Sequence, residues 1–201
     1  MQKKPLPCYL AGGLLAAVVA LFSGCAHPYN IAPDTSHLSA QNTKPIDINV
    51  GYYIAAADLE KEVITPGGGG DKVKYTPYKD LEPALFKVLS NVFRRAYRLS
   101  AVDDKATIQE KNITFIIVPR LETNSSSDSA LTWPPTWFMI KLDCQALDSE
   151  GKVVWTQEIK CEGKASFSEF KRDFPLAARR ATEELMIELQ RSLSEAPAFK
   201  K

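Results

Sequence analysis

The chain has 201 residues with 25 basic and 24 acidic side chains, and a formal charge of +1 gives no basic field of the kind that nucleic-acid binding uses. Only two histidines, His27 and His37, and four cysteines are available for metal or nucleophile chemistry, so both classes have few donors. A chain of this length suits one domain with a real core.

The amino-terminal stretch comes first. Lys3 and Lys4 precede an apolar run of 13 residues from Leu10 to Phe22, then Ser23, Gly24 and Cys25. Basic, apolar and small-residue segments in that order form an export signal, and a membrane span would need about 20 apolar residues. A cysteine directly after the small residues resembles the lipobox of bacterial lipoproteins, with Phe22 where leucine is usual. That resemblance implies a diacylglycerol on the Cys25 thiol, cleavage after residue 24, and acylation of the new amino group, with palmitate as the acyl chain. Residues 1–24 are then a signal peptide, and loss of Lys3 and Lys4 takes the formal charge from +1 to −1. Ala26 is not the aspartate that holds such proteins in the inner membrane. The resemblance therefore implies a lipid anchor in the outer membrane, facing the periplasm.

Residues 25–45 mix Pro, Ser, Asn and Thr without apolar periodicity and are expected to be a lipidated flexible tether. As a random coil, 20 such residues span about 25 Å and leave the domain free to tumble. Placing both histidines there removes metal ligation and a Ser–His–Asp arrangement from the expected chemistry.

Ile46 to Ile54 alternates apolar and polar residues, which predicts a half-buried strand. A long loop follows, with Gly67, Gly68, Gly69 and Gly70 at its centre. Asp71 interrupts any phosphate-cradling pattern, and no hydroxyl follows Lys72, so a mobile surface loop is expected. Asp80 is a candidate helix cap with Pro83 in the first turn, and the three- and four-residue spacing from Leu81 to Leu99 predicts an amphipathic helix. Residues 103–111 suit a short helical turn. Asn112 to Leu121 is apolar on both faces, as in a covered central strand. Its polar continuation ends at Trp133-Pro134-Pro135, where Trp133 either caps the core edge or stands exposed for recognition, capping being favoured.

Residues 137–148 and 153–165 alternate cleanly around a glycine turn and predict a hairpin. A Glu150-Gly151 turn sets Cys144 opposite Gln157 and Cys161 opposite Ile140. In that register the thiols stand roughly 13 Å apart along the strands, while a disulfide needs α-carbons within about 7 Å. A bulge could narrow the gap, so a Cys144–Cys161 disulfide and two buried thiols both stay open. Asp173 and Pro175 open a last helix whose Ala178, Ala181, Leu185 and Leu189 form its inward stripe, and residues 196–201 read as a frayed tail.

The expected domain, residues 46–195, is α+β: a two-layer sandwich with a four-stranded mixed sheet and two helices on one face, in the order strand, helix, strand, strand, strand, helix. A right-handed crossover makes its first two strands parallel. This order is similar to that of small envelope lipoproteins, among them the lipopolysaccharide-assembly lipoprotein and auxiliary lipoproteins of ABC-type lipid transporters. The resemblance implies a non-enzymatic subunit or scaffold of an outer-membrane assembly or transport machine, without cofactor, metal or nucleic acid, joined to the membrane through Cys25 and to an envelope protein partner. The alternatives are a lipid- or glycan-binding module and, last, a histidine-independent hydrolase with no nameable catalytic residue. The candidate docking surface is the end where the Gly67–Gly70 loop and the Trp133 loop would meet, with the glycine loop ordering on contact.

Overall fold

The computed structural model describes residues 26–39 and 45–200. The expected leader and the expected lipidation at Cys25 fall outside the described residues. In chain order the elements are β1 (His27–Pro28), β2 (Ile46–Tyr52), α1 (Ala56–Leu59), β3 (Val63–Pro66), β4 (Lys72–Tyr75), α2 (Pro77–Val92), β5 (Phe93–Arg98), α3 (Lys105–Glu110), β6 (Ile113–Ser126), β7 (Trp137–Leu147), β8 (Val153–Lys164), α4 (Phe167–Phe170), α5 (Leu176–Glu195) and a short 3-10 turn (Pro197–Phe199).

Strict alternation builds the main sheet. On β7, Phe138, Ile140, Leu142, Cys144 and Ala146 are all buried to within 1% of complete, and the residues between them face the opposite side. The strand order is β5-β2-β6-β7-β8, with β2 parallel to β6 as the crossover rule predicts. The β7–β8 hairpin keeps the expected register, Cys144 opposite Gln157 and Ile140 opposite Cys161, with a bulge beside the turn between Ala146 and Leu147. Helices α2 and α5 pack against each other and on one face of this sheet. On the other face, Leu99, Ile113 and Ile116 form a small second core with Ile108 of α3.

Small residues let α5 approach β8 closely. Ala177, Ala178 and Ala181 are fully buried, and a Cβ on Gly163 would stand 1.9 Å from the Ala177 carbonyl oxygen. Backbone therefore meets backbone here, a contact open only to glycine.

Four expectations need correction. The single four-stranded sheet with two helices is replaced by two sheets, of three and five strands, and by five α-helices among the described residues. Within the long predicted loop, β3 and β4 pair antiparallel, and β1 joins β4 in parallel to make the small sheet. Second, the predicted helix to Leu99 begins at Pro77 and stops at Val92. Asp80 then lies inside its first turn rather than at its cap, and its carboxylate accepts the Ile31 N–H at 3.4 Å. The residues beyond become edge strand β5, parallel to β2 from Ile46–Phe93 to Tyr52–Arg98. Phe93 and Ala96 face the main core and Tyr97 packs on the second one, and the waiting edge of β2 selects strand over helix for this segment.

Third, residues 26–39 are no tether. Tyr29, Ile31 and Leu38 are core residues, Ile31 completely buried. The Thr182 hydroxyl donates to the Ile31 carbonyl at 2.9 Å, Gln190 donates to the Ser39 carbonyl at 3.0 Å, and Lys87 to that of Thr35 at 2.7 Å. Helices α2 and α5 thus satisfy the backbone of an arm that lacks most strand partners of its own. Fourth, the tail is not frayed through Phe199, which is 2% exposed and packs on Phe93, Phe115 and Trp155 with ring centroids 5.3–5.6 Å apart.

Candidate functional site at the loop end

The direction of β1 and the exits of β3, β6 and β8 bring four segments to one end of the molecule. The β3–β4 turn holds Gly67 to Gly70, and residues 127–136 link β6 to β7. The Gly68 N–H donates to the Trp133 carbonyl at 2.8 Å and the Gly69 N–H to that of Ser129 at 3.1 Å. A Cβ on Gly67 would lie 2.3 Å from the Trp133 oxygen, and one on Gly68 only 1.8 Å from that of Thr132. Glycine is required at these two positions by contact, and at Gly69 and Gly70 by φ values of 65° and 83°. The glycine loop is therefore ordered on its neighbour within the monomer, which corrects the expectation that it orders on contact with a partner.

A buried hydroxyl cluster fixes the small sheet beneath this junction. Ser125 Oγ lies 2.6 Å from both Thr65 Oγ1 and the Pro66 oxygen, and the Tyr75 hydroxyl donates to Thr123 Oγ1 at 2.8 Å. Burial pushes the Tyr75 phenol above its ordinary pKa, so it stays a neutral donor.

Trp133 is half-buried against the core and joins both sides of the end. The His27 ring stacks on it with centroids 4.4 Å apart, and Phe174, between α4 and α5, meets it edge-on at 5.1 Å. His27 Nε2 also stands 3.5 Å from an Asp71 carboxylate oxygen. Beyond Trp133 the surface is apolar: Leu131 is 94% exposed, Phe167 60% and Phe174 46%. The sequence pointed to Trp133 and the four glycines but missed His27, Leu131 and Phe174. Leu131 is legible as a lone large apolar residue in a polar loop, whereas nothing local to His27 separates it from a tether.

Elsewhere the chemistry is quiet. Cys144 and Cys161 are free and buried, and burial pushes their thiols up to about 12 and about 11, far from a reactive thiolate at neutral pH. His37 pairs with Glu183, and this contact raises its pKa. Among the described residues no group of three His, Cys, Asp or Glu side chains converges to hold a metal ion, and no helix is long and apolar enough to cross a membrane.

The sequence matches no known protein family and no curated protein. Among solved structures it is similar to a Xanthomonas campestris protein of the DUF330 family, at 12% identity over 82% of this chain and 90% of that one, with a TM-score of 0.45. A candidate homologue of the neuraminyllactose-binding hemagglutinin from Helicobacter pylori gives 11% identity over 79% and 91%, with a TM-score of 0.48. A candidate lipoprotein from Caulobacter crescentus gives 15% identity over 77% and 92%, with a TM-score of 0.38. At these scores the likeness is one of chain outline and transfers no residue role.

Proposed function

We propose that this chain is a non-enzymatic, lipid-anchored protein of the cell envelope, held through Cys25 and acting as a subunit or scaffold of an outer-membrane assembly or transport machine. The observation that carries the reading is the sequence from Leu10 to Cys25, which ends at a lipobox-like cysteine. The site chemistry is compatible with it. The two histidines are far from each other in role, one stacked on Trp133 and one paired with Glu183, and the two described cysteines are buried. A protein partner would have the solvated face of β7 and β8 open to it, where Lys141 bridges Asp143 and Glu158 at 3.4 and 2.9 Å. A glycan platform at Trp133 is the weaker alternative, because His27 already covers one face of that ring.

The test is acyl labelling and fractionation of wild type and Cys25→Ala, combined with crosslinking in intact cells from Glu158→Cys on the solvated face. Expected are loss of label and of membrane retention in Cys25→Ala, and one dominant envelope-protein adduct from residue 158. Full membrane retention of a processed, unacylated Cys25→Ala chain would sink the anchor, and absence of any adduct would sink the scaffold.

A further inference from the structure

We propose that the loop end sits directly on the membrane surface, with Leu131 entering the lipid interface and Trp133 and Phe174 at headgroup level; this rests on the lipid anchor at Cys25. Chain length supplies the first argument. Cys25 is two residues before His27, the first residue of β1, and two peptide units reach about 7 Å at most. A lipid on Cys25 therefore cannot lie far from the His27 backbone. Strand direction supplies the second. Because β1 runs parallel to β4, with His27 opposite Val73, the chain enters β1 from the end that carries the glycine turn. The stacking of His27 on Trp133 places the same residue against the second loop. The anchor thus joins the domain at its aromatic end, with no slack that would let the domain turn over.

What surrounds the entry point suits a bilayer. Leu131, Phe167 and Phe174 are the exposed apolar side chains of these segments, and half-buried Trp133 is the residue type that favours a membrane–water boundary. Charge agrees as well. Lys72, Lys164, Lys171 and Arg172 flank the same segments and make no ion pair among the described residues. By contrast, the neighbouring acids Glu162, Glu169 and Asp173 are paired with Lys160, Arg180 and Arg179, so the four free cations face only Asp71 and Asp128, two acids without a lysine or arginine partner among the described residues. Free cations beside an apolar tip match lipid phosphates around acyl chains.

The experiment uses the mature, acylated protein in vesicles of phosphatidylethanolamine and phosphatidylglycerol. Leu131→Cys and, at the opposite end of the sheet, Glu150→Cys are labelled with a polarity-sensitive fluorophore; both positions are exposed, and the native thiols are buried. The expected result is at least threefold stronger quenching of the residue-131 label by acyl-chain-brominated lipid, together with a blue-shifted emission. A second measurement needs no label: brominated lipid should quench wild-type tryptophan emission more than that of Trp133→Phe. Equal, water-like labels at residues 131 and 150 on a protein whose Cys25 is acylated overturn the seating and leave the anchor standing, a result expected if a protein covers this end. A mature amino terminus without acyl groups overturns the anchor reading itself.

Discussion

The two sheets use the same device for different ends. In the five-stranded sheet, Gly163 lets α5 touch β8 backbone to backbone, within a core of fully buried alanines and leucines. In the three-stranded sheet, Gly67 and Gly68 let one loop touch another, over a cluster of hydroxyls and beside an exposed apolar tip. Close approach in the first case is buried on every side and supports the whole fold. In the second it is at the surface and shapes one end. Loss of the glycine should accordingly be global in one sheet and local in the other.

Gly163→Ala gives the largest effect. Its Cβ meets backbone of a helix that cannot retreat without uncovering the sheet, so we expect destabilisation of about 3 kcal/mol. In a chain of this size that corresponds to a fall of roughly 6–12 °C in the thermal midpoint by calorimetry. A midpoint within about 1 °C of wild type would mean that α5 does not press on β8 as described.

Gly68→Ala comes next, at about 1 kcal/mol, because two surface loops can part where a helix and a sheet cannot. The readout that separates it from Gly163→Ala is local: Trp133 should lose its near-ultraviolet dichroism and become accessible to a soluble quencher while far-ultraviolet signals stay unchanged. Unaltered Trp133 signals would break the comparison, since the loops would then not depend on each other.

The smallest effect concerns α4, next to the loop end. The Glu169 carboxylate accepts from Arg180 at 2.8 Å and from the Ser166 backbone and hydroxyl at 2.9 and 2.7 Å, which hold its pKa down at about 2. A depressed carboxylate stabilises the fold above its ordinary pKa, near about 4.5, and that contribution drains away as pH falls toward 2. Thermal midpoints measured from pH 6 to pH 2.5 should therefore drop slightly more for wild type than for Glu169→Gln. The group is exposed, so added salt should shrink the difference. Parallel pH profiles would show that this cap adds nothing.

Legibility in the sequence divides along the same boundary. β7, β8 and the inward stripe of α5 were readable because each carries its own pattern: alternation from Phe138 to Ala146, and three- and four-residue spacing from Ala178 to Leu189. The residue pairs of the hairpin came out as expected although the turn did not: Asp148 and Lys152 close a three-residue loop rather than a Glu150-Gly151 turn, and the bulge at Ala146–Leu147 restores the register beyond it. The small sheet was not readable. Its strands are two and four residues long, too short to show a period, and its key pairing joins His27 to Val73 through a long, non-local closure. Polar composition around Pro33, Ser36 and Asn30 suggested a tether because the pattern of an arm satisfied by helix side chains such as Thr182 and Gln190 lies in those helices. β5 was hidden for another reason: the helical spacing of α2 runs on through Ala96 and Leu99, and its partner β2 is some 45 residues upstream. Of the loop end, the sequence revealed Trp133 and the glycines by composition. The role of His27 depended on strand direction, which no local pattern encodes.

The hydrogen bond from Thr182 to Ile31 spans 151 residues and sets an order on folding. A chain delivered amino end first presents Ile31 and Leu38 early, yet the pocket that takes them is completed only by α5, the last long element to arrive. Until then these two apolar side chains have nowhere permanent to go, while β6, β7 and β8 can already form from neighbours in sequence. Closing so large a loop adds little entropy beyond closing one half its size, since the penalty grows only with the logarithm of length. The delay is thus one of waiting for chain, and the arm that carries Ile31 and Leu38 locks only after α5 is in place.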